Sequence, residues 1–340
     1  MATIKEISKL ANVSPGTVSR ALNPDKREFV ANETRNRVKQ IADQLGYHYS
    51  DRAKQSKDTL NFAVITTLTL EEETRDEYWR FVRHGIYEAA RTEEINISKI
   101  IRMQAGLHPQ DLANYDAIII TGTVSESAVK SLKKYNQHII LVDAGTHYHN
   151  LVDAVDSNLA ELTTTALNQL STVANDDELI AFIGGNRKEM SLDGSLSKGI
   201  ADVRTMAYEN WVQTHHRQTA FKEIDWTTKD AMQATTELIT EYGNKLRAIL
   251  VASDPLAIGA MKAMSQNHLI AGKDIALISF DDLEFTSYLT PSLTSIWLPK
   301  SELGYTALLQ AEMFAKTKRN WSVRTIIPGS FKYRETFLPQ

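Results

Sequence analysis

The chain is 340 residues long, 42% hydrophobic and 24% charged, which suits a soluble globular protein of two or three domains. It has no cysteine, a polar amino terminus from Thr3 onward and no apolar run near the roughly 18 residues of a membrane helix; disulfides and thiolate metal sites are excluded, and a cytoplasmic location is expected. Charge is unevenly spread: residues 1–57 hold 11 Lys/Arg against 6 Asp/Glu, a net of +5 in a chain of net −4, which leaves −9 for the remainder.

A small basic unit fused to a large acidic one points to a nucleic-acid binder joined to a part with a different task. The basic segment reads as three short helices. Thr3 is placed to cap the first, with Glu6 completing a capping box, and Ile4, Ile7, Leu10 and Ala11 fall on one face at helical spacing. Asn12 suits a left-handed residue in the turn that ends it. Ser14 is an N-cap for a second helix that opens on Pro15 and runs to Leu22, where Asn23-Pro24-Asp25 breaks it. A third helix from about Asn32 to Leu45 presents Val38, Ile41, Ala42 and Leu45 inward, and Gly46 ends it. Three short helices with a tight first turn fit the helix-turn-helix, whose second helix enters the major groove; a small protein-binding bundle is the alternative.

The stretch from Thr3-Ile4-Lys5-Glu6-Ile7-Ser8 through Val13-Ser14-Pro15-Gly16-Thr17-Val18-Ser19-Arg20-Ala21-Leu22-Asn23 resembles the headpiece of the lactose/galactose repressor family. Thr34-Arg35, Val38 and Leu45-Gly46-Tyr47 continue the likeness, while Asn12 stands where glycine is common in that family. The resemblance implies a DNA-facing set of Thr3, Ser14, Pro15, Gly16, Thr17, Ser19, Arg20, Asn23, Tyr47 and Ala53. Pro15 and Gly16 offer no side-chain hydrogen bond, so base reading should concentrate on Arg20, which can pair bidentately with guanine. Thr17, Ser19, Tyr47 and helix N-terminal N–H groups are expected to hold phosphates. Residues 47–59 form a polar linker that in the family becomes a hinge helix with a leucine wedged in the minor groove. Ser56 lies where that leucine is expected, so either the hinge works without a leucine lever or its register shifts; folding on binding with a weaker kink is expected.

Beyond the linker, apolar runs at 62–66, 97–101, 117–121, 139–142, 179–183, 248–251 and 275–280 read as buried strands, with helical patterns between several, such as 78–91, 158–170 and 254–267. The alternation implies open parallel sheets, too many strands for one, so two α/β lobes with ligand at the strand carboxyl ends. The likeness extends here through Ile180-Ala181-Phe182-Ile183-Gly184-Gly185, Ala248-Ile249-Leu250-Val251-Ala252-Ser253-Asp254, Ile278-Ser279-Phe280-Asp281-Asp282 and Tyr288-Leu289-Thr290-Pro291-Ser292-Leu293-Thr294. It implies a periplasmic-binding-protein-like (type I) effector domain behind an all-α helix-turn-helix headpiece. The expected layout is 1–46 headpiece, 47–59 hinge and 60–340 body, with a first lobe of about 60–157 and 294–324 and a second of about 158–293 and 325–340.

Sugar recognition needs polar forks for hydroxyls and an aromatic plate for the ring. By resemblance, Arg204 and Asp281 would hold sugar hydroxyls with Asp143 as a third group, and Trp226 would stack. Ser253 replaces a frequent asparagine, and the cluster Tyr78-Trp79-Arg80-Phe81 is a candidate wall. A core role for Trp226 and for the cluster, and a turn or cap role for Asp281, stay open alternatives. His147 and His149 read as solvated histidines rather than metal ligands, and no nucleophile with its base is evident, so neither cofactor nor enzymatic activity is expected. The family reading is a repressor that binds a palindromic operator in double-stranded DNA as a homodimer and is released by a small sugar, galactose or a galactoside. No leucine heptad follows residues 331–335, so a dimer rather than a tetramer is expected. A corepressor-dependent regulator and a stand-alone sugar-binding protein are the competing readings.

Overall fold

A computed structural model describes residues 3–22, 30–45, 47, 59–144, 150–197 and 199–339, apart from the side chain of Arg75. The chain divides into two compact units, 1–60 and 61–340.

The first unit contains α1 (Ile4–Ala11), α2 (Pro15–Leu22) and α3 (Asn32–Gln44). Thr3 caps α1 in a full capping box: its N–H donates to Glu6 Oε2 at 2.7 Å, and its hydroxyl accepts from the Glu6 N–H at 3.4 Å. Asn12 ends the helix in the left-handed region at φ 53°, where its short polar side chain is tolerated. The core joins Ile7, Ala11, Val18, Ala21, Leu22, Val30, Val38 and Ala42, with Ile4, Val13, Ile41 and Tyr47 packed against it. Two expected inward residues are corrected. Leu10 is 61% exposed and Leu45 is 38% exposed. Among the described residues each helix packs on the other two, which leaves the buried stripe narrower than helical periodicity suggests.

The second unit holds two six-stranded sheets. The first has the order β11-β5-β4-β3-β1-β2 and is parallel throughout, built from β1 (Asn61–Thr66), β2 (Asn96–Arg102), β3 (Ala117–Thr121), β4 (Ile139–Val142), β5 (Asp153–Ser157) and β11 (Arg324–Ile327). The second has the order β12-β10-β9-β8-β6-β7, from β6 (Leu179–Gly184), β7 (Phe221–Glu223), β8 (Leu246–Val251), β9 (Ala276–Asp281), β10 (Thr294–Trp297) and β12 (Ser330–Lys332). Only β12 runs antiparallel to its neighbour there. The central strands β3, β4 and β6 are buried at every position, as near-continuous apolar runs between helical layers should be.

Helices α4 (Leu70–Arg75), α5 (Glu77–Thr92) and α6 (Glu126–Lys133) follow strands of the first lobe, and α7 (Leu159–Leu170), α8 (Val203–Thr214), α9 (Thr228–Tyr242) and α10 (Asp254–Gln266) lie in the second. The last helix, α11 (Lys300–Lys316), packs on α5 and on β3, β4 and β5. That crossing brings backbones into contact: a Cβ on Gly85 would sit 1.8 Å from the Ser301 carbonyl oxygen, and one on Gly304 1.9 Å from that of Val82. The chain therefore crosses between lobes three times, and at two of the crossings the Gly329 N–H donates to the Asn158 side chain at 3.0 Å. The expected lobe boundaries shift accordingly. Residues 294–297 pair in parallel with β9, so the return to the first lobe follows residue 297 rather than 293. Residues 324–327 pair with β5, so the last crossing follows residue 327 rather than 324.

Candidate functional site

On α2, Val18, Ala21 and Leu22 are buried, while Ser14, Pro15, Gly16, Ser19 and Arg20 are exposed and Thr17 is half-buried. The Ser14 hydroxyl accepts from the Thr17 N–H at 3.1 Å, fixing the start of the helix. Arg20 lies back along its own helix, with Nε donating to the Gly16 carbonyl at 3.1 Å. Thr3 is spent on its cap, and Tyr47 packs against the headpiece core with its N–H donating to the Ala42 carbonyl at 2.8 Å. Asn23, Ala53, Ser56, His147 and His149 lie outside the described residues.

In the second unit a polar cluster gathers at the carboxyl ends of strands, where open α/β sheets receive ligands. Asp143 follows β4, Arg187 lies just beyond β6, Ser253 just beyond β8, and Asp281 closes β9. Asp202, the N-cap of α8, organises the cluster. Its carboxylate accepts from the Arg204 N–H at 2.9 Å, from Arg204 Nε at 2.7 Å and Nη2 at 3.1 Å, and from Arg187 Nε at 2.7 Å. Burial pushes the Asp202 carboxyl up, but the two guanidinium groups overcome it and hold it below the ordinary range. Arg204 donates through Nη1 to the Ala252 carbonyl at 2.6 Å, and its guanidinium carbon lies 5.1 Å from the Trp226 ring centroid and 5.6 Å from that of Phe280.

Arg187 reaches across to the first lobe. Its Nη1 donates to the Asp143 carbonyl at 2.5 Å and its Nη2 lies 3.5 Å from Asp143 Oδ1. Asp143 itself has φ 52°, a left-handed conformation uncommon outside glycine. Asp281 has φ 106°, and Lys300 Nζ donates to its backbone carbonyl and to that of Leu298 at 3.3 Å. Burial raises the Asp281 carboxyl well above its usual value, Asp254 and Asp76 add to the rise, and Arg204 and Lys300 oppose it. Residues held off the common backbone regions tend to gather at binding sites.

Tyr78 is 6% exposed, and its hydroxyl has no hydrogen-bond partner among the described residues. Burial, then the charges of Asp143 and Asp281, push its phenol well above the ordinary value. Trp79 packs edge-on against Tyr78 at 5.1 Å, Arg80 pairs with Glu77, and Phe81 is largely exposed. Trp226 is 42% exposed with Nε1 donating to the Asn186 carbonyl at 3.0 Å, so it is not a core aromatic. Ser253 precedes α10 without using its side chain as a cap. The fully buried Asp254 beside it accepts from the hydroxyls of Ser279 and, at 2.7 Å, Ser295, and from the Leu283 N–H at 2.7 Å, tying strand ends together.

The structure thus brings Asp143, Arg204, Asp281, Tyr78 and Trp226 around one cluster, with Ser253 at its edge. Sequence reasoning missed Asp76, Arg187, Asp202, Phe280 and Lys300. Asp202 carried a usable signal, an N-cap aspartate two residues before an arginine. Among the described residues no group of three or more His, Asp or Glu side chains is placed to hold a metal, and no helix is long and apolar enough to cross a membrane.

A helix-turn-helix unit with an outward second helix, joined to a two-lobed α/β body with a polar cluster at its strand ends, defines a DNA-binding transcriptional regulator with a ligand-binding body. Residues 3–50 match the bacterial regulatory proteins of the lacI family, and residues 178–337 match a periplasmic binding protein-like domain. The chain is 30% identical over 318 residues to the HTH-type transcriptional regulator GalR of Lacticaseibacillus casei, covering 92% of this chain and 93% of that one. It is 28% identical over 315 residues to the HTH-type transcriptional repressor MelR of Bacillus subtilis (strain 168), covering 91% and 90%. In fold it is similar to the Lac repressor dimer bound to operator and the anti-inducer ONPF, with a TM-score of 0.71 at 19% identity over 98% of each chain. The chain belongs to the lacI family of bacterial regulatory proteins.

Proposed function

We propose that this protein is a repressor of a carbohydrate-utilisation operon that binds a palindromic operator as a homodimer and is released by galactose or a galactoside. The observation that carries the sugar reading is the under-paired polar cluster: a buried Tyr78 hydroxyl without a partner among the described residues, near the carboxylates of Asp143 and Asp281, beside an arginine lying against two aromatic rings. Buried polar groups left unpaired cost free energy, and a polyol supplies several donors and acceptors together with an apolar ring face. Trp226, exposed at the edge of the cluster, offers that face a plate.

Release requires the sugar to bind one arrangement of the lobes better than the other, and about 1–3 kcal/mol of coupling is typical of such switches. The test is a titration of the protein on the DNA upstream of its own gene, with and without galactose, lactose and related galactosides. Loss of binding with one of these supports the proposal. Tight binding indifferent to all of them overturns the galactoside assignment and leaves a corepressor-dependent regulator.

A further inference from the structure

Between β6 and α8 the chain does not turn straight into the helix. It doubles back as a hairpin, with the N–H groups of Arg187 and Ile200 donating to one another's carbonyls at 2.9 and 2.7 Å, and Met190 bridging antiparallel to Leu196. The hairpin belongs in sequence to the second lobe but is anchored in the first. The Met190 N–H donates to the Thr123 carbonyl at 3.0 Å, the Ser125 N–H to the Met190 carbonyl at 2.9 Å, and the Leu107 N–H to the Leu192 carbonyl at 2.7 Å. Met190 is buried within the first lobe's core, alongside Met103, Leu107, Ile120 and Val124, and Leu192 packs against it.

Arg187 stands at the base of this hairpin. Its Nε is held by Asp202 of its own lobe, while Nη1 and Nη2 reach the carbonyl and carboxylate of Asp143 in the other. That carboxylate is one the cluster presents to a ligand, and its 3.5 Å contact with Nη2 is at the loose end of hydrogen bonding. We propose that Arg187 is a positioning residue of the effector site, one that presents Asp143 to the effector and, with the Met190 anchor, holds the lobes in the arrangement the effector binds. The proposal rests on reading the cluster as an effector site. An arginine suits the role because its planar fork bridges two carboxylates at once, which a lysine ammonium does not reproduce.

If the lobe arrangement held by Arg187 is the effector-binding one, releasing it lowers the competent fraction, and apparent effector affinity falls by that fraction. Reciprocity then requires the sugar-free protein to favour the DNA-binding arrangement. The experiment compares full-length wild type with Arg187→Met and Arg187→Lys, measuring galactose binding by calorimetry and binding to the DNA upstream of its own gene without sugar. The expected result for Arg187→Met is galactose binding weakened about 5-fold or more together with tighter sugar-free DNA binding, and a smaller shift of both for Arg187→Lys. Weaker galactose binding with unchanged sugar-free DNA affinity reduces Arg187 to a local contact and overturns the proposal. If the wild type ignores every galactoside, the sugar reading fails by itself, and the sugar-free DNA comparison still decides the role of Arg187. Should Arg187→Met not fold, Leu192→Ala loosens the same hairpin away from the cluster; a shift in the same two directions supports the proposal, and unchanged sugar-free DNA affinity overturns it.

Discussion

The headpiece and the cluster in the body arrange their recognition groups in opposite ways. On α2 the candidate DNA-contacting residues Pro15, Gly16, Ser19 and Arg20 are exposed within six positions of one another, and the core beneath them is made of other side chains. In the body, Asp143, Arg187 and Asp281 come from three strand ends and Asp202 and Arg204 from the start of α8; all are largely buried, and Asp143, Arg187, Asp202 and Arg204 hold one another's charges. An exposed group can be removed at the cost of binding alone. A buried charge cannot, because its partner stays behind unpaired.

The largest test of this contrast is Asp202→Ala, which strands two buried guanidinium groups. The body should lose about 3–5 kcal/mol in urea unfolding; a loss below about 1 kcal/mol would show that the pair is not interdependent. Asp156 sharpens the comparison through pH. Burial, with Asp143 adding and Arg324 opposing, raises its carboxyl from 3.8 to about 6 in the folded protein. The folded state therefore keeps a proton that the unfolded chain gives up, so this group's contribution to stability falls as pH rises from about 4 to about 6 and is level above that. Its slope is at most about 1.4 kcal/mol per pH unit, and Asp156→Asn should flatten the unfolding profile across that window. If the two profiles run parallel, the assignment to Asp156 is wrong.

The headpiece predictions are smaller and confined to it. Arg20→Ala should leave melting unchanged and cost about 1–3 kcal/mol of discrimination at one base pair per half-site, seen by titrating base-substituted duplexes. A uniform loss over all duplexes would assign Arg20 to phosphate instead. Thr3→Ala removes the capping box and should cost the headpiece about 1 kcal/mol without altering galactose binding, a separation that calorimetry reads directly.

The same contrast governs how much the sequence discloses. The runs Ala117–Thr121 and Ile139–Val142 are strands over those same residues, because a strand covered on both faces must be apolar at each position. Capping signals at Thr3 and the left-handed turn at Asn12 were likewise readable, being local chemistry. Arg187 and Lys300 were not. Neither belongs to a periodic pattern, and each acquires its role only when chain crossings bring it to Asp143 or Asp281. In the stretch 187–200 the anchors Met190 and Leu192 are isolated among polar and small residues, so no strand or helix period marks them. Trp226 and Tyr78 show the remaining limit: sequence identifies an aromatic residue, and only the fold tells that the first stays open to solvent while the second is buried with an idle hydroxyl.

The threefold crossing between lobes also sets a schedule for synthesis. Among the described residues, the last to pack on the headpiece core is Tyr47. The first sheet waits for β11 at Arg324–Ile327, and the second waits for β12 at Ser330–Lys332. At roughly 5–20 residues per second, roughly 15–55 s separate the last described residue of the headpiece core from the strands that close either sheet of the body. During that interval the nascent chain carries a folded headpiece ahead of a body whose sheets are still open.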